Sequence, residues 1–422
     1  MEKRKALIVL GSLLALFSCS SGRHMSRFQT GNPVDPAAPV FDSISPQFRP
    51  VARLFASRAQ SLPVSGNGLE IFTYGRPKFD ALFEDIRKAE VSIDLEYYRF
   101  SPDTIGRDLQ ELLLQKAREG VVVRILLENR TNPPKSSFYN RFKGVEGLYL
   151  KEVQPRNDWS GTLSNLLWRN HRKIVVIDGK TAYLGGMNVQ DRYHTIWRDT
   201  HARVTGPIVE ALSLLFQENW DRFSGPEVSR PEARPVREGS AGLMQLVGDG
   251  GVFTQESIIK DGLELALSRA KDYFYIQNPY FCPPESTIQA LIDAAQRGVD
   301  VQLMFPETQD VIVMLWLNHY FYKRLLEGGV RIFERSGAFM HSKTFVSDDC
   351  FACIGSANID YRSFYTNLEG NLYIYDRDMA LRCKDIYLQD LSDCREIRPE
   401  DIRWTVPERY LQSIIIIGAP QF

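Results

Sequence analysis

Two short runs in this 422-residue chain carry residue types that could do chemistry together. The first is Asn170-His171-Arg172-Lys173, followed by Asp178, Gly185, Gly186 and Asn188. The second is Met340-His341-Ser342-Lys343, followed by Asp348, Gly355, Ser356 and Asn358. His, Lys, Asp, Gly and Asn recur at one constant offset, which also relates Arg192 to Arg362 and Asp199 to Glu369. A lone histidine beside a strand is commonly structural, and a lysine two positions on is commonly solvated. Two copies of a five-residue pattern with matching carboxylates leave coincidence no room. His194, His201 and His319 stand outside the pattern and read as structural or peripheral.

Two imidazoles can divide labour, one attacking and the other handling protons. Lys173, Lys343, Asn188 and Asn358 can hold the non-bridging oxygens of a phosphoryl group, a task other enzymes give to metal ions. A carboxylate that accepts a ring N–H fixes the tautomer and leaves the other nitrogen nucleophilic. Asp199 and Glu369 fit that role. Asp178 and Asp348 close the two signatures at strand ends before a turn and read as braces pairing with neighbouring cations. The pattern points to phosphodiester chemistry through a phosphohistidine, with no metal and no cofactor. His171, Lys173, Asp178, His341, Lys343 and Asp348 form the catalytic set.

The elements that must position these residues repeat as well. Ala89–Phe100 is echoed by Ala270–Phe281, each the end of a helix running into a β-rich strand. Helical patterns follow over Ile105–Arg118 and Thr287–Arg297, with Gly120 and Gly298 placed as C-caps. Strands follow over Val121–Leu127 and Val299–Phe305. Alternation of this kind predicts a duplicated α/β fold on a largely parallel sheet. On a strand, a histidine and a lysine two apart share a face. Gly225–Gly242, with its prolines and charges, reads as a linker between domains at 67–224 and 243–422.

Composition narrows the class. With 44% hydrophobic and 11% aromatic residues, buried cores are well supplied and nothing suggests disorder. Lys and Arg number 51 against 52 Asp and Glu, which argues against nucleic acid as a partner. Six cysteines are too few for a disulfide scaffold, and none has zinc-ligand spacing with histidine. Lys3, Arg4 and Lys5 precede an apolar run from Ala6 to Phe17, the order of a secretory signal. That run rises about 18 Å as a helix, short of the bilayer core. Leu16-Phe17-Ser18-Cys19 resembles a bacterial lipobox with Cys19 as the lipidated residue, so residues 1–19 read as a signal or lipoprotein anchor. Residues 20–66 read as a tether and lead-in. These features place the protein in the bacterial cell envelope. The apolar, aromatic segment Val311–Tyr322 reads either as an interdomain core helix or as a lipid entrance.

The paired signatures resemble the phospholipase D superfamily, and the wider match resembles its bacterial cardiolipin synthases. The resemblance rests on Leu95–Tyr98, Arg169–Lys173, Trp197–His201 with Gly206-Pro207, Pro279–Phe281 and Asp360–Phe364, and spans about residues 67–376. It implies two tandem α/β/α sandwich domains related by a pseudo-two-fold, with the active site at their interface. It implies transfer of a phosphatidyl group from one phosphatidylglycerol to another, with release of glycerol, at the surface of the plasma membrane on its periplasmic side. His171 is the attacking residue by that resemblance. Such synthases usually begin with two transmembrane helices, whereas this chain has one short signal-like segment. A phospholipase D-type hydrolase, a phosphodiesterase or nuclease, and a non-catalytic envelope lipoprotein are the competing readings.

Overall fold

Asp178 and Gly179 both adopt positive φ, 53° and 62°, and Asp348 and Asp349 do the same at 50° and 55°. Paired left-handed residues make the tight turn that matches the twist of a hairpin. Each turn folds the signature-bearing strand back on its successor. In the first half these are β5 (Lys173–Ile177) and β6 (Thr181–Gly185); in the second, β13 (Thr344–Ser347) and β14 (Phe351–Gly355).

The computed structural model describes residues 35, 38–132, 136–153, 168–224, 242–250 and 256–402. The first half also holds β1 (Val64–Tyr74), β2 (Ser92–Tyr97), β3 (Val122–Glu128), β4 (Leu148–Val153) and β7 (Arg198–Thr205). The second holds β8 (Gly242–Gly250), β9 (Tyr273–Gln277), β11 (Asp300–Pro306), β12 (Arg331–Arg335), β16 (Leu368–Ile374) and β17 (Cys394–Ile397). A small parallel pair, β10 (Phe281–Cys282) with β15 (Ile359–Asp360), stands apart.

Among the described residues the large sheet has 15 strands, ordered β17-β12-β11-β9-β13-β14-β16-β8-β1-β7-β6-β5-β2-β3-β4. The order reads outward from the β8–β1 junction as the same fold twice, with β17 added at one edge. The sheet is mixed, which corrects the expectation of a largely parallel one. Only β2-β3-β4 and β9-β11-β12 run parallel; the remaining neighbours are antiparallel, the hairpins through the Asp turns among them.

The expected helices form over Thr104–Arg118 and Glu285–Gln296. Asp103 caps the first by accepting the Gly106 N–H at 3.2 Å, and Gly120 ends it with a φ of 93°. Its buried Ile105, Leu109, Leu112 and Leu113 pack in a core with Ile93, Leu95 and Ile125. A second core lies in the other half, and a third joins Ile174, Val176 and Leu184 to Leu246, Ile354 and Leu372 across the halves. Alternation along β5 is thus complete: Val175 and Ile177 face one core, Ile174 and Val176 another.

The lead-in is no plain tether from residue 39 onward. The helix Arg49–Ala59 buries Val51, Ala52, Phe55 and Ala56 in the second half's core, where Phe48 stacks on Phe351 at 4.5 Å. Gly262 admits the Phe55 ring, because a Cβ there would lie 2.3 Å from it. The N-terminal anchor at 1–19, including Cys19, lies outside the described residues. No helix among them is long and apolar enough to cross a membrane.

Candidate active site

The backbone crosses between the halves at both signatures. His171 N–H donates to the Leu368 carbonyl at 2.9 Å, and His341 N–H donates to the Arg198 carbonyl at 2.7 Å. Leu368 and Arg198 immediately precede Glu369 and Asp199, so each crossing sets a histidine of one half beside a carboxylate of the other. His171 Nδ1 lies 3.0 Å from both Glu369 oxygens, and His341 Nδ1 lies 2.8 Å from Asp199 Oδ2. A nitrogen facing a carboxylate carries the hydrogen, which leaves Nε2 with its lone pair. Both dyads are therefore composite, and the site sits at the interface of the halves.

The two dyads differ in how their carboxylates are held. Glu369 accepts from Ser356 Oγ at 2.5 Å, Ser363 Oγ at 2.8 Å and Asn367 Nδ2 at 3.3 Å. Burial pushes its pKa up, but His171, Lys173 and the Ser356 hydroxyl outweigh it and hold the group below the ordinary glutamate value. Asp199 accepts the Thr200 N–H at 2.7 Å, and burial carries its carboxyl up to about 7 against the pull of Lys343. Burial drops His171 to about 4 despite Glu369, with Lys173 adding to the drop, so it is neutral at pH 7. His341 is pushed well below its ordinary value by burial and then by Lys343 and Lys173.

Both lysines lie beside the signature histidines. Lys173 Nζ donates to the His171 carbonyl at 2.5 Å; Lys343 Nζ donates to the His341 carbonyl at 2.5 Å and lies 3.0 and 3.1 Å from its ring nitrogens. Burial lowers Lys173 to about 7 and Lys343 to about 8. Two cations desolvated beside neutral imidazoles make a site that gains from the arrival of an anion. A phosphodiester supplies that charge.

The walls are chemically unequal. Tyr98 meets His171 edge-on at 5.0 Å. His341 is ringed by Tyr193 at 5.4 Å, Trp197 at 5.5 Å, Tyr280 at 5.8 Å and Phe339 at 6.1 Å, and is 3% exposed against 9% for His171. Arg192 stacks over Trp197 at 4.2 Å and approaches Asp310 at 4.0 Å. Asn188 Oδ1 accepts the Arg99 N–H at 3.1 Å and its Nδ2 donates to Tyr193 Oη at 2.9 Å. Asn358 N–H donates to Ser363 Oγ at 3.0 Å, and its side chain lines a small cavity together with Lys343.

Asp178 and Asp348 require a correction. They were expected to brace the site by pairing with cations; their carboxylates instead collect backbone N–H groups at the far end of the strands. Asp178 accepts from Glu90, Val91 and Ser92 at 2.8 to 2.9 Å, and Asp348 accepts from Lys271, Asp272 and Tyr273 at 2.8 to 3.0 Å. They pin the start of β2 and β9 to the hairpin turns. These contacts hold each strand start to its turn, and the left-handed turn explains why an aspartate recurs there. Sequence reasoning missed Ser356, Ser363 and Asn367 as donors to Glu369. Ser356 stood within the quoted signature, but only the crossed geometry reveals what it binds.

A family model described as "Cardiolipin synthase, PLD-like domain" matches residues 82–220 and 263–391, once per half. A curated cardiolipin synthase of Listeria welshimeri is 34% identical over 375 residues, covering 86% of this chain and 77% of the relative. One from Oceanobacillus iheyensis is 36% identical over 342 residues, covering 79% and 70%. Among solved structures, a phosphatidylserine synthase of Haemophilus influenzae Rd KW20 superposes with a TM-score of 0.65 at 13% identity, over 84% of this chain and 94% of that one, which shows the shared fold. With the family model matched in both halves and the curated relatives matched over most of their length, the chain belongs to the cardiolipin synthase family of phospholipase D-like proteins.

Proposed function

We propose that this protein transfers a phosphatidyl group from one phosphatidylglycerol to the glycerol hydroxyl of a second, making cardiolipin and releasing glycerol. His171 Nε2 attacks the phosphorus, and the bond from phosphorus to the glycerol oxygen breaks. His341, protonated as the anionic phosphodiester enters, gives its proton to the departing oxygen. The hydroxyl of the second lipid then attacks the phosphohistidine while His341 takes its proton, and the P–N bond breaks to free His171. Lys173, Lys343, Asn188 and Asn358 steady the non-bridging oxygens. Glu369, firmly ionised, suits the nucleophile's partner, and the more accessible imidazole suits attack.

The observation that carries transfer over hydrolysis is the aromatic enclosure of His341. Four rings around the imidazole that must deprotonate the acceptor disfavour water there and favour an acceptor delivered on a lipid. Exposed Val311 and Ile312, next in sequence to Asp310 that approaches Arg192, together with exposed Ile196, support seating on a membrane surface. The finer placement we propose is an envelope membrane on its periplasmic side, with Cys19 lipidated. Expression in cells lacking cardiolipin, followed by lipid mass spectrometry, tests the reaction. Cardiolipin is the expected product; phosphatidic acid alone would make the protein a hydrolase.

A further inference from the structure

The two lipids of the proposed reaction are alike, yet they ask different things of the site. The donor offers its phosphorus to His171, and the glycerol that departs from it carries no charge. The acceptor offers a glycerol hydroxyl to His341 and carries, at the other end of that glycerol, a phosphate that must stay intact. A site that prefers this acceptor to water or free glycerol needs a cation near His341 besides the two lysines that hold the donor.

Arg192 stands in that place. Its guanidinium carbon lies 4.2 Å from the centre of the Trp197 ring and 5.8 Å from that of Tyr193, and both rings lie against His341, at 5.5 and 5.4 Å. Its charge reaches the imidazole, adding to Lys343 and Lys173 in lowering the His341 pKa. Its Nε donates to Gln190 Oε1 at 2.6 Å, so the fork is stacked on a ring and fixed along one edge. Its Nη1 lies 4.0 Å from Asp310 Oδ2, with the two side chains 35% and 23% exposed. Asp310 also accepts from the Tyr280 hydroxyl, and the Tyr280 ring is 5.8 Å from His341. A long, partly exposed ion pair is weak, whereas a guanidinium takes a phosphate through two parallel hydrogen bonds. Exposed apolar side chains adjoin both members of the pair. Ile196 donates its N–H to the Arg192 carbonyl at 3.1 Å, and Val311 and Ile312 follow Asp310.

We infer that Arg192 selects the acceptor: its guanidinium trades Asp310 for the phosphate of the second phosphatidylglycerol and so holds that lipid's glycerol hydroxyl at His341 Nε2. Asp310 keeps the Tyr280 hydroxyl when the guanidinium turns to the lipid, so the exchange strands no charge without a partner. The donor's phosphate stays with the lysines, and its glycerol leaves before the acceptor enters, so the first half of the reaction has no need of Arg192. This inference rests on His341 serving the acceptor in the proposed reaction.

Phosphatidylglycerol vesicles supplied with labelled free glycerol test this with two readouts at once. Label enters phosphatidylglycerol when free glycerol attacks the phosphohistidine, gives its proton to His341 and breaks the P–N bond. That acceptor has no phosphate for Arg192 to hold, whereas cardiolipin reports the acceptor that has one. Arg192→Gln should lower cardiolipin formation about tenfold, the worth of a charged hydrogen bond, with label exchange within about twofold of wild type. Arg192→Lys, which keeps the charge and loses the fork, should fall between the two. Equal loss of exchange and cardiolipin would make Arg192 a support of the fold or of membrane seating, and overturns the inference. Unchanged cardiolipin formation in Arg192→Gln overturns it as well. A wild-type enzyme that makes no cardiolipin would defeat the proposed function itself, and the acceptor role with it.

Discussion

A p-nitrophenolate departs without a proton, whereas the alkoxide of glycerol does not, and this separates the two histidines. With an activated nitrophenyl phosphodiester, the His341→Ala enzyme should release a burst of about one nitrophenol per site as His171 is phosphorylated. The His171→Ala enzyme should give none. A burst from His171→Ala alone would reverse the roles. Asp178→Ala strands three backbone N–H donors and should cost about 1–3 kcal/mol in urea denaturation while the folded fraction keeps near-wild-type turnover. A stable but inactive variant would return Asp178 to the catalytic set. At this scale the sequence made the histidines, lysines and carboxylates legible because they repeat. It hid the crossed pairing, since an offset relates each carboxylate to the histidine of its own half.

Among elements, the helix Ile312–Glu327 has one buried face and one partly exposed face. Met314, Leu317, Phe321 and Leu325 are buried, while Ile312 and Tyr320 are exposed and Trp316 is half-buried. Trp316→Ala and Ile312→Glu should therefore weaken liposome binding with little change in melting temperature, whereas Leu317→Ala should cost about 2–5 kcal/mol of stability. Unchanged vesicle binding in both surface variants would sink the membrane role of this face. The lead-in segment was the element least well read. Its Ser, Pro and Gln content suggested a tether, but Phe48, Val51, Ala52, Phe55 and Ala59 follow helical spacing and are all buried. Gly262→Ala, which drives a methyl into the Phe55 ring, should destabilise the fold by about 1–3 kcal/mol in the same denaturation assay.

For the whole molecule, duplication was legible and intimacy was not. Two copies of a motif are compatible with two independent domains on a linker, yet the β8–β1 junction makes one continuous sheet and each dyad borrows from both halves. Side chains reinforce the junction. Buried Arg172 donates through Nε to the Glu369 carbonyl at 2.9 Å, and buried Arg198 reaches Ser342 Oγ at 2.5 Å and the Asp390 carboxylate. Separating the halves strands these guanidinium groups, and breaking buried ion pairs is costly. A chain so built should complete its site internally and resist exchange of halves with a second copy. Co-expression of His171→Ala with His341→Ala checks this. An exchanged pair would unite an intact His171 with an intact His341 and regain turnover, so the expected outcome is no recovery above the single variants. Recovery to even a tenth of wild-type activity would show that the halves trade partners in the cell and that the interface is weaker than its buried arginines imply.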